Sequence, residues 1–128
     1  MIYSKNQIEL LAEALKGSPQ ARQRLMDEAP ELVMLEAGLM TEVPAMEWLL
    51  QHNKLLALFM DAVHGNKSAV KVLMLKKEYG LAAVANYTNG DDEAGLWLRN
   101  HRLDHYLRLA EGIKYAHNNR GQSNGSPF

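Results

Sequence analysis

The chain has 128 residues and a formal net charge of −1, with 47% hydrophobic and 23% charged residues. This composition is typical of one globular domain with a hydrophobic core, and it excludes a chain that is disordered throughout. The absence of cysteine excludes disulfides, thiolate metal ligands and cysteine nucleophiles. Because the sequence shows neither a signal-peptide pattern nor an apolar run of membrane-spanning length, we expect a cytoplasmic protein.

Helix signals follow one another along the chain, and no segment requires a strand. Residues 5–16 have the apolar spacing of a first helix, which Gly17 ends, while Ser18 and Pro19 cap and begin a second helix that runs to about Glu28. Pro30 and Pro44 predict the starts of further helices because proline suits the first helical turn. Later segments with helical spacing cover residues 31–39, 81–86, 94–100 and 103–116. Between them, Trp48 to Ala62 forms the most apolar hairpin, and Ala69 and Leu73 open a further helix face.

The end of the chain differs in composition from the rest. Residues 117–128 are rich in Asn, Gly, Ser and Pro and show no apolar periodicity. We therefore predict one helical domain over residues 1–116 and a flexible C-terminal tail over residues 117–128.

An alanine followed four positions later by a leucine recurs four times along the chain at nearly constant spacing. The pattern predicts an all-α fold: a short right-handed-type α-solenoid of stacked antiparallel helical hairpins, with about four 24-residue repeats. In such a stack, the first and last helices close opposite ends. The alanine and leucine pairs are Ala21 and Leu25, Ala45 and Leu49, Ala69 and Leu73, and Ala94 and Leu98.

The stretch from Ala62 to Leu73 places Gly65 and Asn66 between two apolar helix faces. It resembles the helix-turn-helix of ankyrin repeats, in which a short break separates two antiparallel helices. The Thr-Pro-Leu-His start of that family is missing, and the period of this chain is too short to leave room for the family's β-hairpin finger. The resemblance implies a protein-binding scaffold without catalytic residues.

Equivalent positions on the second helix of each hairpin line up along one surface of a solenoid. Trp48 and Trp97 share one such position, with Arg24 and Val72 at the corresponding positions of the other copies. Aromatic and arginine side chains are the usual anchors of protein interfaces, although tryptophans of a repeat also pack in the core. We predict a protein-binding surface formed by Arg22, Arg24, Met46, Trp48, Lys71, Val72 and Trp97.

No arrangement of residues matches a known catalytic or phosphate-binding motif, so we predict a small adaptor or inhibitor rather than an enzyme, with no cofactor. An alternative is a ligand- or metal-binding domain or enzyme with a site near His101 and His105, which are four positions apart with Asp104 beside them. We expect His64 to cap the end of a helix and the acidic turn at residues 91–93 to cap the start of one.

Charge is distributed unevenly, because residues 1–64 carry a formal charge of −4 and residues 65–128 carry +3. This asymmetry gives a second alternative, a self-assembling structural protein in which opposite ends meet. Acidic residues interrupt the basic ones near the C-terminus, which favours an acidic protein partner over nucleic acid. We expect no membrane partner and a monomer or weak homo-oligomer. The basic residues in question are Arg99, Arg102, Arg108, Lys114 and Arg120.

Overall fold

The structure is a computed structural model that describes residues 3–120, and this part of the chain folds into nine α-helices without a strand. The all-α prediction is confirmed. The helices are α1 (Lys5–Leu15), α2 (Pro19–Glu28), α3 (Pro30–Leu39), α4 (Val43–His52), α5 (Lys54–Val63), α6 (Lys67–Leu75), α7 (Tyr79–Thr88), α8 (Asp92–Asn100) and α9 (Asp104–Asn119).

Local signals set most helix boundaries where the sequence predicts them. The side chains of Ser4, Ser18, Asn66 and Asp91 each accept a hydrogen bond from a backbone N–H in the first turn of the helix that follows. The acidic turn at residues 91–93 therefore caps α8, as predicted. Helix α7 is longer than predicted, since it begins at Tyr79 and ends at Thr88.

The turns after α1, α3, α5 and α7 place one residue each in the left-handed region. Three of these residues are glycines, Gly17, Gly65 and Gly90, with φ between 101° and 105°. The turn after α3 instead uses Thr41, with φ 62°, and its hydroxyl donates to the Met40 carbonyl oxygen at 2.6 Å. The same type of turn therefore forms even where the sequence lacks glycine.

The odd-numbered and even-numbered helices form two layers. Each odd-numbered helix packs on the odd-numbered helices before and after it, and α9 packs on α1, so that the inner layer is a closed ring of five helices. Each even-numbered helix packs outside this ring, against the two inner helices that flank it in the chain. The hydrophobic core lies within the ring and beneath the outer helices.

The contact between α1 and α9 corrects the predicted open stack, in which these helices close opposite ends. The two helices approach so closely that a Cβ atom on Gly112 would lie 2.8 Å from the Ala12 carbonyl oxygen. Arg108 of α9 also pairs with Glu9 of α1. The first and last helices of the chain, from its acidic and basic halves, thus meet within one molecule.

Helix α9 extends past the predicted domain boundary at residue 116 and ends at Asn119. His117 Nε2 donates a hydrogen bond to the Leu39 carbonyl oxygen at 3.0 Å. Arg120 donates to the carbonyl oxygens of Ala14 and Leu15 at 3.3 and 3.1 Å. Residues 117–120 are therefore part of the folded unit, and the remaining positions of the predicted tail lie outside the described residues.

None of the helices between residues 3 and 120 is both long enough and apolar enough to cross a membrane.

Candidate protein-interaction surface

All seven residues of the predicted binding surface lie on outer helices. Arg24, Lys71 and Val72 are exposed, while the other four are half-buried. The seven are Arg22 and Arg24 on α2, Met46 and Trp48 on α4, Lys71 and Val72 on α6, and Trp97 on α8.

Arg22 is committed to an internal ion pair. Its Nε and Nη2 atoms donate to the carboxylate of Glu36 at 2.9 and 2.5 Å, and these hydrogen bonds raise the pKa of Arg22. Arg120 Nη1 donates to the same carboxylate at 2.8 Å. Glu36 is the only buried charged side chain among residues 3–120. The three side chains of this cluster come from α2, α3 and the residue after α9. Glu36 of α3 thus joins Arg22 of α2 and Arg120 after α9.

Trp48 and Trp97 each stack on the histidine four positions later. The ring centroids are 4.7 Å apart for Trp48 and His52 and 4.1 Å apart for Trp97 and His101. In both pairs the histidine Nδ1 donates to the tryptophan carbonyl oxygen, at 2.9 and 2.8 Å. Both indoles also pack on the core. Each tryptophan therefore lies at the border between core and surface, with its ring fixed by a neighbour.

Two grooves open between outer helices, and each has one of these tryptophans in its wall. The N-terminal groove lies over α3, between α2 and α4, and has a volume of about 520 Å³. The C-terminal groove lies over α7, between α6 and α8, and has a volume of about 500 Å³. Met26, Pro30, Glu31, Val33, Met34, Trp48, His52 and Asn53 line the N-terminal groove. Met74, Tyr79, Ala82, Ala83, Asn86, Asp91, Glu93, Ala94 and Trp97 line the C-terminal groove.

Several lining residues of the two grooves occupy equivalent positions, two periods of the alanine and leucine pattern apart. Val33 and Met34 correspond in this way to Ala82 and Ala83, and Trp48 corresponds to Trp97. The C-terminal groove has the smaller side chains of Ala82 and Ala83 where the N-terminal groove has Val33 and Met34, and Tyr79 adds an aromatic side chain to its lining. Both volumes lie within the range of about 300 to 1,000 Å³ that is typical of ligand-binding clefts.

The carboxylates of the two grooves have different partners. In the N-terminal groove, Glu31 accepts a hydrogen bond from the Tyr3 hydroxyl at 2.9 Å, and burial together with this bond raises the pKa of Tyr3. In the C-terminal groove, Asp91 accepts from the Glu93 backbone N–H at 3.1 Å, and neither side chain forms an ion pair with a residue in the described range. The C-terminal groove therefore presents negative charge to solvent.

The structure does not bring the seven residues of the predicted surface together at one groove. Trp48 and Trp97 lie in separate grooves, and Arg24 pairs with Glu28 at 3.2 Å on its own helix. Lys71 and Val72 line neither groove, and Met46 lies near Gly38 of the inner layer.

The sequence pattern did not single out Tyr79, which lines the C-terminal groove. Its equivalent position two periods earlier is Pro30, which lines the N-terminal groove beside Trp48. A comparison of equivalent positions would therefore have placed Tyr79 beside Trp97.

The histidines of the alternative site belong to different segments. His101 ends α8, and His105 lies in the first turn of α9, after Arg102 turns the chain with φ 58°. The two histidines, four positions apart in sequence, therefore do not share one helix. His105 packs against Tyr106, and the described residues contain no group of three or more side chains placed to share a metal ion.

The backbone of His64 caps its own helix, and its side chain caps another. It ends α5, and its Nε2 donates to the Leu39 carbonyl oxygen of α3 at 3.2 Å, as His117 of α9 also does. In the same way, Asn89 donates to the Ala62 and Val63 carbonyl oxygens of α5. Side chains between neighbouring inner helices thus satisfy the carbonyl groups left free at their C-terminal ends.

Three of the five basic residues near the C-terminus have partners within the fold. Arg108 pairs with Glu9, Arg120 pairs with Glu36, and the Lys114 ammonium lies 4.4 Å from the centre of the Tyr87 ring. These contacts remove most of the reason to expect an acidic partner at this surface.

No family model, curated protein or solved structure matches this chain.

Proposed function

We propose that this protein is a small helical scaffold, an adaptor or inhibitor, that binds a protein partner through its outer layer. The observation that carries the proposal is the distribution of exposed apolar side chains. Seven of the nine exposed large hydrophobic residues within 3–120 lie on the four outer helices, and Met26 and Met74 among them line the two grooves. Exposed apolar side chains that line a surface groove, as Met26 and Met74 do, are characteristic of protein interaction sites.

The periodicity of the sequence supports the same function. The recurring alanine and leucine pairs are buried on α2, α4, α6 and α8, as expected for a helical repeat. The ankyrin-like stretch from Ala62 to Leu73 likewise favours a binding scaffold. Under this proposal, the repeat presents similar grooves at regular intervals, and differences in their lining give each groove its own specificity.

A photo-crosslinking experiment tests the proposal. A photoreactive amino acid replaces Leu75, which is 82% exposed beside the C-terminal groove, or Met26 at the N-terminal groove. The matched control carries it at Tyr115, which is 44% exposed on α9. We expect irradiation in an extract of the source cells to yield a discrete crosslinked protein from one or both groove positions and not from Tyr115. Identical products at all three positions, or none, would contradict a binding function for the outer layer.

A further inference from the structure

The C-terminal groove has an apolar end and an acidic end. Met74 at the end of α6 and Tyr79 at the start of α7 lie at the apolar end, where Trp97 adds its indole. Asp91 and Glu93, at the start of α8, lie at the opposite end. The two ends have different side chains because α6 and α8 both run antiparallel to α7. The C-terminal parts of α6 and α8 therefore lie beside the start of α7, whereas the start of α8 lies beside the end of α7.

Large hydrophobic side chains are exposed to solvent at the apolar end of the groove. Met74 and Tyr79 are 48% and 45% exposed, and Leu75 beside them is 82% exposed. The acidic end contributes two carboxylates, and no Lys or Arg among residues 3–120 lines the groove, although Lys67 lines the adjoining pocket that also includes Asp91. A complementary ligand therefore combines an apolar anchor with positive charge.

We infer that the C-terminal groove binds an amphipathic helical segment of a partner protein, with an apolar side chain against Met74, Tyr79 and Trp97 and with Lys or Arg beside Asp91 and Glu93. This inference rests on the proposed function and specifies the chemistry of its partner. Helical segments commonly bind in apolar grooves between helices, where one apolar face supplies the anchors.

The groove also sets the spacing within the ligand. Glu93 and Asp91 precede Trp97 by four and six positions, which corresponds to about 6 and 9 Å along the chain at a helical rise of about 1.5 Å per residue. On a helix that lies along the groove, basic residues about four and seven positions from the apolar anchor share its face and reach the carboxylates.

Fluorescence of Trp97 provides the test. The chain has two tryptophans, so Trp48→Phe leaves Trp97 as the only indole reporter. The probes are two synthetic helical peptides with the same leucine face, one with Lys and one with Glu at the fourth and seventh positions from the central leucine. We expect the Lys peptide to shift the Trp97 emission saturably and to bind at least about tenfold more tightly than the Glu peptide, with a smaller ratio at high salt.

A charge reversal assigns the preference to the groove. The Glu93 side chain accepts no cap hydrogen bond, so Glu93→Lys leaves the Asp91 cap in place, and we expect it to reduce the Lys-to-Glu ratio at least about fivefold. The control is Glu47→Lys, at an exposed position of α4 that lines neither groove, which we expect to leave the ratio unchanged. Circular dichroism verifies that both variants are folded.

Three results would overturn the inference. Equal binding of the two peptides would show that the acidic end does not select the ligand, and no emission change with either peptide would show that the groove takes no such helix. Sedimentation velocity gives the third result: a dimer of the wild-type protein that dissociates in Glu93→Lys would show that a second copy of the chain occupies the groove. None of these results affects the crosslinking experiment at Leu75, so failure of the inference and failure of the proposed function are distinguishable.

Discussion

The inner and outer helices differ in how much of each helix is buried. Inner helices bury five or six residues each, whereas outer helices bury two or three, chiefly one alanine and the leucine four positions later. The inner ring therefore contributes most of the apolar burial that stabilises the fold. An outer helix needs only one narrow stripe for attachment, and the rest of its surface is free to form the grooves.

The largest effect should come from the centre of the inner ring. Phe59 is fully buried on α5, and Phe59→Ala removes its packing and leaves a cavity, so we expect a loss of about 3 to 5 kcal/mol in the free energy of unfolding. Urea denaturation followed by circular dichroism measures the loss. A change below about 1 kcal/mol would show that the inner ring does not dominate stability.

The Glu36 cluster tests how firmly the inner ring holds α2 and the end of α9. Glu36→Ala removes the acceptor of hydrogen bonds from Arg22 and Arg120, and we expect a loss of about 1.5 to 3 kcal/mol, typical of hydrogen bonds to charged groups. Arg24→Ala, which breaks an exposed pair on α2, is the control and should cost less than about 0.5 kcal/mol. Equal losses of unfolding free energy in Glu36→Ala and Arg24→Ala would show that contacts to the inner ring do not stabilise the protein more than contacts within an outer helix.

Closure of the ring depends on the close approach of α1 and α9. A methyl group at residue 112 would lie 2.8 Å from a backbone oxygen of Ala12, so Gly112→Ala forces the two helices apart, with an expected loss of about 1 to 3 kcal/mol. In the comparison variant Gly38→Ala, the added methyl group would meet side-chain atoms only, Met60 Sδ at 2.8 Å and Leu49 Cδ1 at 3.1 Å, which can shift at smaller cost than the backbone of Ala12. Thermal unfolding of both variants should show a clearly lower Tm only for Gly112→Ala.

His105, at the junction of α1 and α9, should make a smaller, pH-dependent contribution to the free energy of unfolding. Burial, followed by the nearby Lys5 ammonium, lowers the pKa of His105 below its ordinary value of 6.5, although Glu9 and Asp104 oppose this shift. The unfolded chain then binds more protons than the folded chain near this pH, so stability should fall as pH decreases below 6.5. His105→Gln should flatten the dependence between about pH 7 and 5. Because the other four histidines are kept, the difference between the two curves isolates His105.

The smallest change in stability should come from the outer surface. Leu75 is 82% exposed, so Leu75→Ser should alter the free energy of unfolding by less than about 0.5 kcal/mol. The same substitution should weaken binding of the Lys peptide, because it removes apolar surface beside Met74. Chemical denaturation and the fluorescence titration measure the two effects, and a large loss of stability would assign Leu75 to the core.

The part of the fold that depends on neighbours in sequence was predictable. Caps such as Ser18 and Asn66, the glycine turns and the buried alanine and leucine pairs follow from hydrogen bonds and contacts within a few residues, so their signals lie in short stretches of sequence. For Trp48 and Trp97, the sequence left two alternatives open, an interface anchor or a side chain packed in the core, and both indoles lie between the two. Periodicity shows which face of a helix is apolar, but it does not show how much of a large side chain its neighbours cover.

Tertiary structure alone decided the closure of the ring and the identity of the grooves. The contact between Gly112 and Ala12 and the pairing of Arg120 with Glu36 both join residues from distant parts of the sequence. No local pattern encodes either contact, because each depends on the curvature that accumulates as successive hairpins pack. That curvature turned the predicted open stack into a ring, paired the half-buried Arg22 with the buried Glu36 and left Met74, Tyr79 and Trp97 to form an open groove. The helices and their apolar faces, in contrast, follow from short stretches of the sequence.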